Sequence, residues 1–233
     1  MIPGSPLLAL VVAAALLAPA FADRHKRAYA IAFVAALALY FGLTALPTSL
    51  PGERLIGNRW NWAGGLLAAA GMLALAALLV RRAGFAWREF GLIWSQRPGS
   101  LRAAALVALP VLALNYAAMT LSRFRLPGVP VETWLYQATL PGLVEEIGFR
   151  GVLLALADRA FAARWTIGGA PLGWGGVVVT ASFFAAHDLS LGTAVGVLPA
   201  ALLYLWLRAR TGSLVLPVLA HNAWNLSVYA AHL

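Results

Sequence analysis

The amino-acid sequence predicts an all-α fold, a polytopic transmembrane helical bundle with about eight spanning helices. Composition is the first observation behind this prediction. Of the 233 residues, 62% are hydrophobic and only 11% are charged, and the mean hydropathy is +0.81. A soluble globular domain typically carries about 25% charged residues. The composition therefore excludes a soluble domain and favours a membrane protein.

The second observation is the length of the apolar segments. A hydrocarbon core about 30 Å thick requires about 20 apolar residues per spanning helix, and eight segments approach that length. Because no internal repeat or linker is visible, we treat residues 1–233 as a single integral membrane domain. The predicted spans cover approximately residues 6–22, 28–46, 63–80, 101–120, 131–157, 172–188, 191–207 and 213–231.

The third observation is the distribution of basic residues, which sets the predicted topology. The net charge of +9 does not indicate a nucleic-acid partner, because the basic side chains are spread over the connections between spans. By the positive-inside rule the connections with more basic residues are cytoplasmic, which places both termini outside. The basic residues assigned to the cytoplasmic side are Arg24, Lys26, Arg27, Arg81, Arg82, Arg88, Arg97, Arg102, Arg159, Arg164, Arg208 and Arg210. Those assigned to the opposite side are Arg54, Arg59, Arg123 and Arg125.

We expect a multi-pass protein of the cell membrane, with the lipid bilayer as its first partner. A chain rich in alanine and leucine, with more arginine than lysine, is typical of bacteria and indicates the inner membrane. Ala20-Phe21-Ala22 resembles a signal-peptidase site, but the basic cluster at residues 23–27 is typical of a retained span. Both readings of the N-terminus stay open. Residues 84–97 mix aromatic and charged side chains, which suits an interfacial helix or an aromatic belt.

Three polar islands interrupt the apolar segments. The first is Glu145-Glu146-Ile147-Gly148-Phe149-Arg150-Gly151, the second is His187, and the third holds His221, Asn222 and Asn225. An ionisable residue near the bilayer centre costs at least about 2.5 to 3.5 kcal/mol on insertion scales. Such residues therefore indicate a function or a buried partner.

The two adjacent carboxylates of the first island are predicted to differ. On a helix Glu146 and Arg150 lie four residues apart on one face, which predicts a buried ion pair. Glu145 is rotated by about 100° and has no obvious partner in its own helix. It lies about 21 Å along the helix from Val131, near the membrane midplane. A carboxylate in that position suits a general base.

The histidines also have a purely structural interpretation. A single histidine in an apolar helix is more often a hydrogen-bond partner between helices than a catalyst. Glu145, His187, His221 and Asn225 nevertheless fall at similar depths in their spans, and His221 and Asn225 share a helical face. Together they would supply a base, a second base and two hydrogen-bond donors. The coincidence favours a single site, provided that the three helices pack side by side.

These motifs also resemble those of a known family. Glu-Glu-x-x-Phe-Arg-Gly at 145–151, Phe-x-x-x-His at 183–187, and Gly-Ser-Leu followed by His-x-x-x-Asn between 212 and 225 are similar to the CPBP family. This family comprises CAAX-type prenyl-protein endopeptidases and bacteriocin-processing or immunity proteins. The resemblance implies an intramembrane endopeptidase of eight helices, with a catalytic core over about residues 131–231.

The family roles, carried over to the matching positions, divide the site residues. The resemblance implies that Glu145 and His187 activate water, that His221 and Asn225 stabilise the oxyanion, and that Glu146 and Arg150 support the site. The expected substrate is a membrane-associated protein or peptide, either prenylated and CAAX-like or a leader peptide. The active-site cavity is expected to open to the cytoplasm, because hydrolysis needs water that hydrocarbon does not supply.

The sequence leaves alternatives open. The favoured mechanism uses no cofactor and no metal. The zinc alternative would bind Zn2+ through Glu145, His187 and His221, although no His-Glu-x-x-His motif is present. A non-catalytic immunity or binding protein, or a proton-coupled transporter using the same polar groups, are the further alternatives.

Overall fold

A computed structural model describes residues 5–49, 60–122, 128–162, 164–187 and 190–231 of the chain. These residues are predominantly helical, which confirms the all-α class. Arg54, Arg59, Arg123 and Arg125, assigned above to the outer side, lie outside the described residues. The helices are α1 (Pro6–Leu16), α2 (Ala18–Ala22), α3 (Arg27–Ala45), α4 (Trp62–Arg82), α5 (Ser100–Leu121), α6 (Val131–Glu145), α7 (Leu154–Ala160), α8 (Trp174–Ala186), α9 (Leu191–Thr211) and α10 (Val215–Ala230).

Shorter elements complete the secondary structure. A π-helical segment, Glu146–Leu153, joins α6 to α7, and 3-10 turns occupy Leu46–Ser49 and Trp87–Phe90. Strands β1 (Arg164–Ile167) and β2 (Ala170–Gly173) form an antiparallel hairpin in which Arg164 pairs with Gly173 and Ile167 with Ala170. This hairpin is not among the elements predicted from the sequence.

The predicted spans coincide with helices, but these helices differ in whether they are long and apolar enough to cross a membrane. Among the described residues, α3, α4 and α5 are long and apolar enough to cross a membrane. Helices α1 and α8 are apolar but shorter. Segment 6–22 divides at Leu17 into α1 and α2, because Pro19 has no backbone N–H with which to continue the helix. The structure thus supports a membrane protein, whereas the number of eight spans stays a prediction.

Small residues allow close packing between the helices. Ala9 and Ala13 of α1 are fully buried, and α1 packs against α8, where the Trp174 indole N–H donates to Leu16 O at 3.3 Å. Ala68 and Ala76 of α4 are also fully buried, and α4 packs against α3. Small residues are common at helix contacts in membranes because they let the backbones approach.

An aromatic chain leads from α3 to the π-helical segment and on to α8. The Tyr40 and Phe149 ring centroids are 5.3 Å apart, and those of Phe149 and Phe183 are 5.0 Å apart, both edge to face. Edge-to-face pairs of this kind add stability beyond the area that they bury. They fix the helices that carry the first two polar islands relative to each other.

Residues 84–97, which we call the strap, do not form the interfacial helix that was one reading of the sequence. Only Trp87–Phe90 is helical, as one 3-10 turn, and Gly91 ends it with a left-handed φ of 68°. Phe85 and Phe90 turn inward and stack at 5.4 Å. The strap is held by backbone contacts, since Gly91 O accepts from Leu214 N at 2.9 Å. Trp94, 88% exposed, agrees with the aromatic-belt alternative.

One ion pair joins the strap to α7. The Arg159 guanidinium donates to both Glu89 carboxylate oxygens at 2.8 and 2.9 Å. These hydrogen bonds lower the pKa of the Glu89 carboxyl below its ordinary value. The pair therefore stays charged at neutral pH. It ties the strap to the end of the bundle where Arg97, Arg159, Arg164 and Arg208 lie, which we call the arginine-rich end.

Candidate functional site

The first polar island begins where the α-helix changes to a π-helix. Glu145 is the last residue of α6, and Glu146 is the first residue of the π-helical segment. All eight residues from Glu146 to Leu153 are buried. The sequence predicted an ordinary α-helix over this segment. Short π-helical insertions occur frequently at functional sites, so the departure itself marks this segment.

Glu146 and Arg150 form the predicted buried ion pair. Arg150 Nη1 lies 3.0 Å from Glu146 Oε1, and both side chains are fully buried. Arg150 Nη2 donates to Ala201 O at 3.3 Å, and the guanidinium lies 4.2 Å from the centre of the Phe183 ring. Glu146 Oε2 and Arg150 Nε have no hydrogen-bond partner among the described residues. The pair therefore depends on few, closely placed contacts.

His221 brings α10 to both carboxylates. Its Nδ1 lies 2.9 Å from Glu146 Oε1, and its Nε2 lies 3.7 Å from Glu145 Oε2. Because an ionised carboxylate only accepts hydrogen bonds, the Nδ1 proton points to Glu146. The imidazole also stacks on Tyr204, with ring centroids 4.6 Å apart and planes at 15°. These contacts fix the ring and leave Nε2 turned toward Glu145.

Exposure separates the two carboxylates. The Glu146 side chain is fully buried, whereas 27% of the Glu145 side chain is accessible. Glu145 is the carboxylate that water or another molecule can reach, and Glu146 is the carboxylate that holds its neighbours.

His187 caps the C-terminal end of α8 and lies beside the ion pair. Its Nδ1 is 2.8 Å from Phe183 O, and its ring centroid is 4.7 Å from that of Phe183. The same Phe183 ring contacts Arg150, so His187 and the ion pair share one aromatic neighbour. Within the described part of the chain, His187 forms no ion pair with Glu145 and no hydrogen bond with His221.

The two asparagines of α10 have different surroundings. Asn225, half-buried, lies one turn beyond His221 and makes no hydrogen bond among the described residues. Asn222 was not assigned a role from the sequence. Its Oδ1 accepts from Gly142 N at 2.9 Å, and its Nδ2 donates to Thr139 O at 3.2 Å. Asn222 therefore ties α10 to α6 beside the two glutamates.

Tyr204 is the other residue that the sequence analysis missed. Its ring lies against His221 and 5.5 Å from the Arg150 guanidinium carbon. No motif marks it, because it occurs in an apolar segment where an aromatic residue is ordinary.

For Asn222 the sequence did contain an indication of its role, since a buried amide beside a histidine needs a hydrogen-bond partner.

The zinc alternative requires three ligands at one point. Across the described ranges, no group of three or more His, Cys, Asp or Glu side chains is arranged to hold a metal ion. Glu145 and His221 are close, and the bond from Nδ1 to Glu146 leaves His221 Nε2 free, as in metal-bound histidines, which commonly donate their other nitrogen to a carboxylate. His187 does not form a group with these two side chains in the described ranges, and whether a metal is used stays a prediction.

Comparison with known protein families finds a match to the C-terminal part of the chain. Residues 127–227 match the family model described as Type II CAAX prenyl endopeptidase Rce1-like. The match covers somewhat less than half of the 233 residues and includes all three polar islands, which confirms the family resemblance inferred from the motifs. Neither a curated protein nor a solved structure matches the chain.

Replacing Arg150 tests the buried ion pair. Arg150→Ala would strand the fully buried Glu146 charge, so we expect the free energy of unfolding to fall by about 3 to 5 kcal/mol. Arg159→Ala removes a partly exposed ion pair and should cost no more than about 1 kcal/mol. Denaturant unfolding of both variants in detergent measures the difference. An Arg150→Ala protein as stable as Arg159→Ala would contradict the structural role.

Replacing Gly142 tests the contact between α6 and α10. A Cβ at this position would overlap Asn222 Oδ1 and lie 2.8 Å from Val218 O. Overpacking of this kind costs about 1 to 3 kcal/mol, and each kcal/mol lowers the Tm by about 2 to 4 °C in a chain of this size. Gly42→Ala is the matched control, since a Cβ there meets nothing within 4 Å. Equal Tm values for the two variants would show that this helix contact is not tight.

Proposed function

We propose that this chain, whose residues 127–227 match the CAAX prenyl endopeptidase family, is an intramembrane endopeptidase that cleaves a membrane-associated protein or peptide. One observation carries the proposal. A partly accessible carboxylate, Glu145, lies 3.7 Å from a histidine that a fully buried glutamate orients. This arrangement offers a reachable base beside a fixed imidazole, which is what water activation requires.

In the proposed reaction Glu145 takes a proton from water while the water oxygen bonds to the carbonyl carbon of the scissile peptide. His187, whose Nδ1 is directed to Phe183 O, retains Nε2 for positioning that water. Attack produces a tetrahedral intermediate with a negatively charged oxygen. The C–N bond then breaks, and the proton taken from water passes to the departing amine.

The oxyanion is assigned to Asn225 and His221. The Asn225 amide, with no described internal partner, can donate to it directly. Because the Nδ1 proton of His221 is committed to Glu146, Nε2 donates only when the ring is doubly protonated. Glu145, 3.7 Å from Nε2, is placed to pass to this nitrogen the proton that it took from water, and the same proton moves on to the departing amine when the C–N bond breaks. Each such donor is worth about 2.7 to 4 kcal/mol in other enzymes.

The substrate is proposed at the level of chemical class. The matching family is described as a Type II CAAX prenyl endopeptidase, and a prenyl group partitions into the bilayer. A leader peptide held at the membrane would present a peptide bond to the same site. Glu145 is accordingly proposed to face a cavity that admits water from the cytoplasm.

Replacing Glu145 tests the proposed base. Glu145→Gln preserves shape but removes proton acceptance, so we expect turnover to fall by at least about 100-fold. Glu132→Gln in the first turn of the same helix is the matched control and should retain activity. The assay measures cleavage by purified protein of a farnesylated CAAX peptide and of a membrane-anchored leader peptide. Activity of Glu145→Gln close to wild type would remove Glu145 from the mechanism.

The same assay separates the endopeptidase from a transporter or a non-catalytic binding protein, because neither of these would release a cleaved product. Where both synthetic peptides fail, the membrane proteomes of cells with wild-type protein and with Glu145→Gln should be compared. A cleavage product that depends on Glu145 identifies the natural substrate. The lack of any such product in both assays contradicts the proposed function.

Metal analysis decides between the two forms of the mechanism. Under the metal-free mechanism, dialysis against a chelator leaves turnover unchanged and the purified protein contains no stoichiometric zinc. Under the zinc alternative, chelation abolishes turnover, added Zn2+ restores it, and His221→Ala loses the metal. We expect full activity in metal-free protein. Zinc that tracks activity would overturn the glutamate mechanism.

A further inference from the structure

A separate polar cavity lies at the arginine-rich end of the bundle. It has a volume of about 560 Å³ and is bounded by the strap, α7, the β-hairpin and the end of α9. That volume lies within the range of small-molecule binding sites. Glu145, Glu146, His187 and His221 do not line it, so this cavity is distinct from the candidate active site.

Positive charge exceeds negative charge in the cavity wall. Two of its arginines are neutralised, because Arg159 pairs with Glu89 at 2.8 Å and Arg164 pairs with Asp158 at 2.9 Å. The other arginines in the wall lie in no ion pair with a carboxylate of the described residues. These uncompensated arginines are Arg88, Arg97 and Arg208.

Arg208 is the uncompensated arginine whose buried charge most needs an anionic partner. It is only 7% exposed, and its guanidinium donates to backbone oxygens, Nε to Arg150 O at 3.2 Å and Nη2 to Glu89 O at 2.8 Å. Arg208 lies just beyond the predicted span 191–207. Burial lowers the pKa of its guanidinium to about 10. The negative charge of Asp158 opposes this shift, whereas the positive charges of Arg97 and Arg164 add to it. A buried cation with two cations nearby and no carboxylate partner is stabilised by a bound anion.

Arg97 and Arg88 are the other two uncompensated arginines that line the cavity. Arg97 Nη1 donates to Ala209 O at 2.7 Å, which holds its guanidinium beside Arg208 on the cavity. Arg88 is exposed and its side chain makes no hydrogen bond within the described part of the chain. Its donors are therefore available to a ligand.

We propose that this cavity binds a phosphate group, carried either by an anionic lipid headgroup or by a soluble phosphate compound. Guanidinium groups match phosphate oxygens through paired, charge-assisted hydrogen bonds. Three uncompensated arginines suit a doubly or multiply hydrogen-bonded phosphate better than a single carboxylate. The cavity lies on the side that the positive-inside rule assigns to the cytoplasm, where anionic headgroups and soluble phosphates both occur.

The test uses the full chain purified in a neutral detergent, with two probes. The first is inorganic phosphate, titrated against chloride at equal ionic strength while the Tm is followed. The second is phosphatidylglycerol, compared with phosphatidylcholine in lipid nanodiscs, with bound lipid measured by native mass spectrometry. A ligand that binds only the folded protein raises its Tm. Response to inorganic phosphate indicates a soluble source, and selective retention of phosphatidylglycerol indicates a lipid.

Matched double variants give the proposal its control. Arg88→Gln with Arg97→Gln removes two cavity charges, whereas Arg81→Gln with Arg82→Gln removes two exposed charges at the end of α4. We expect the cavity variant to bind the effective probe at least about tenfold more weakly, the loss of one charge-assisted hydrogen bond, and the control to bind like wild type. Arg88→Gln alone repeats the test without removing any described internal contact. Equal binding by both double variants, or no binding of either probe to wild type, overturns the proposal.

Discussion

The buried ion pair between Glu146 and Arg150 is the interaction on which the rest of the structure depends. Removing two charges from water costs several kcal/mol per ion, so such a pair persists only where close contacts offset that cost. Those contacts come from separate helices: Phe183 of α8, Ala201 of α9 and His221 of α10. The two residues of the ion pair, both on the π-helical segment, therefore contact three other helices, and the candidate active site is built on that arrangement.

The two adjacent glutamates have different roles because their surroundings differ. Glu146, fully buried, holds Arg150 on one side and the His221 ring on the other, whereas Glu145 keeps more than a quarter of its side chain accessible. Under the proposed function, Glu146 holds the site rigid and Glu145 takes the proton from water. Preorganisation of this kind matters because a catalytic group must be held to within a fraction of an ångström by its supporting contacts.

The arginine-rich end is a second polar centre that is structurally linked to the first. Arg208 Nε donates to the carbonyl oxygen of Arg150, so the wall of the cavity proposed to bind phosphate is hydrogen-bonded to the π-helical segment that carries the ion pair. The strap forms part of that wall. Its Phe85 and Phe90 rings stack on each other in the interior, and its Glu89 forms the ion pair with Arg159. One continuous stretch, from α6 through the π-helical segment to α7, thus supports both centres.

The sequence by itself determined the class of protein, the positions of most helices, the Glu146–Arg150 pair and the family motifs. These follow from composition, from apolar segment length and from contacts four residues apart. Only the tertiary structure decided that His221 reaches Glu145 and Glu146, that Tyr204 stacks on His221, that Asn222 joins α10 to α6 and that the strap folds inward. The physical reason is that helices apolar on every face carry no amphipathic stripe. Their rotation, and hence which polar side chains meet, is set by interhelical contacts between residues far apart in the chain.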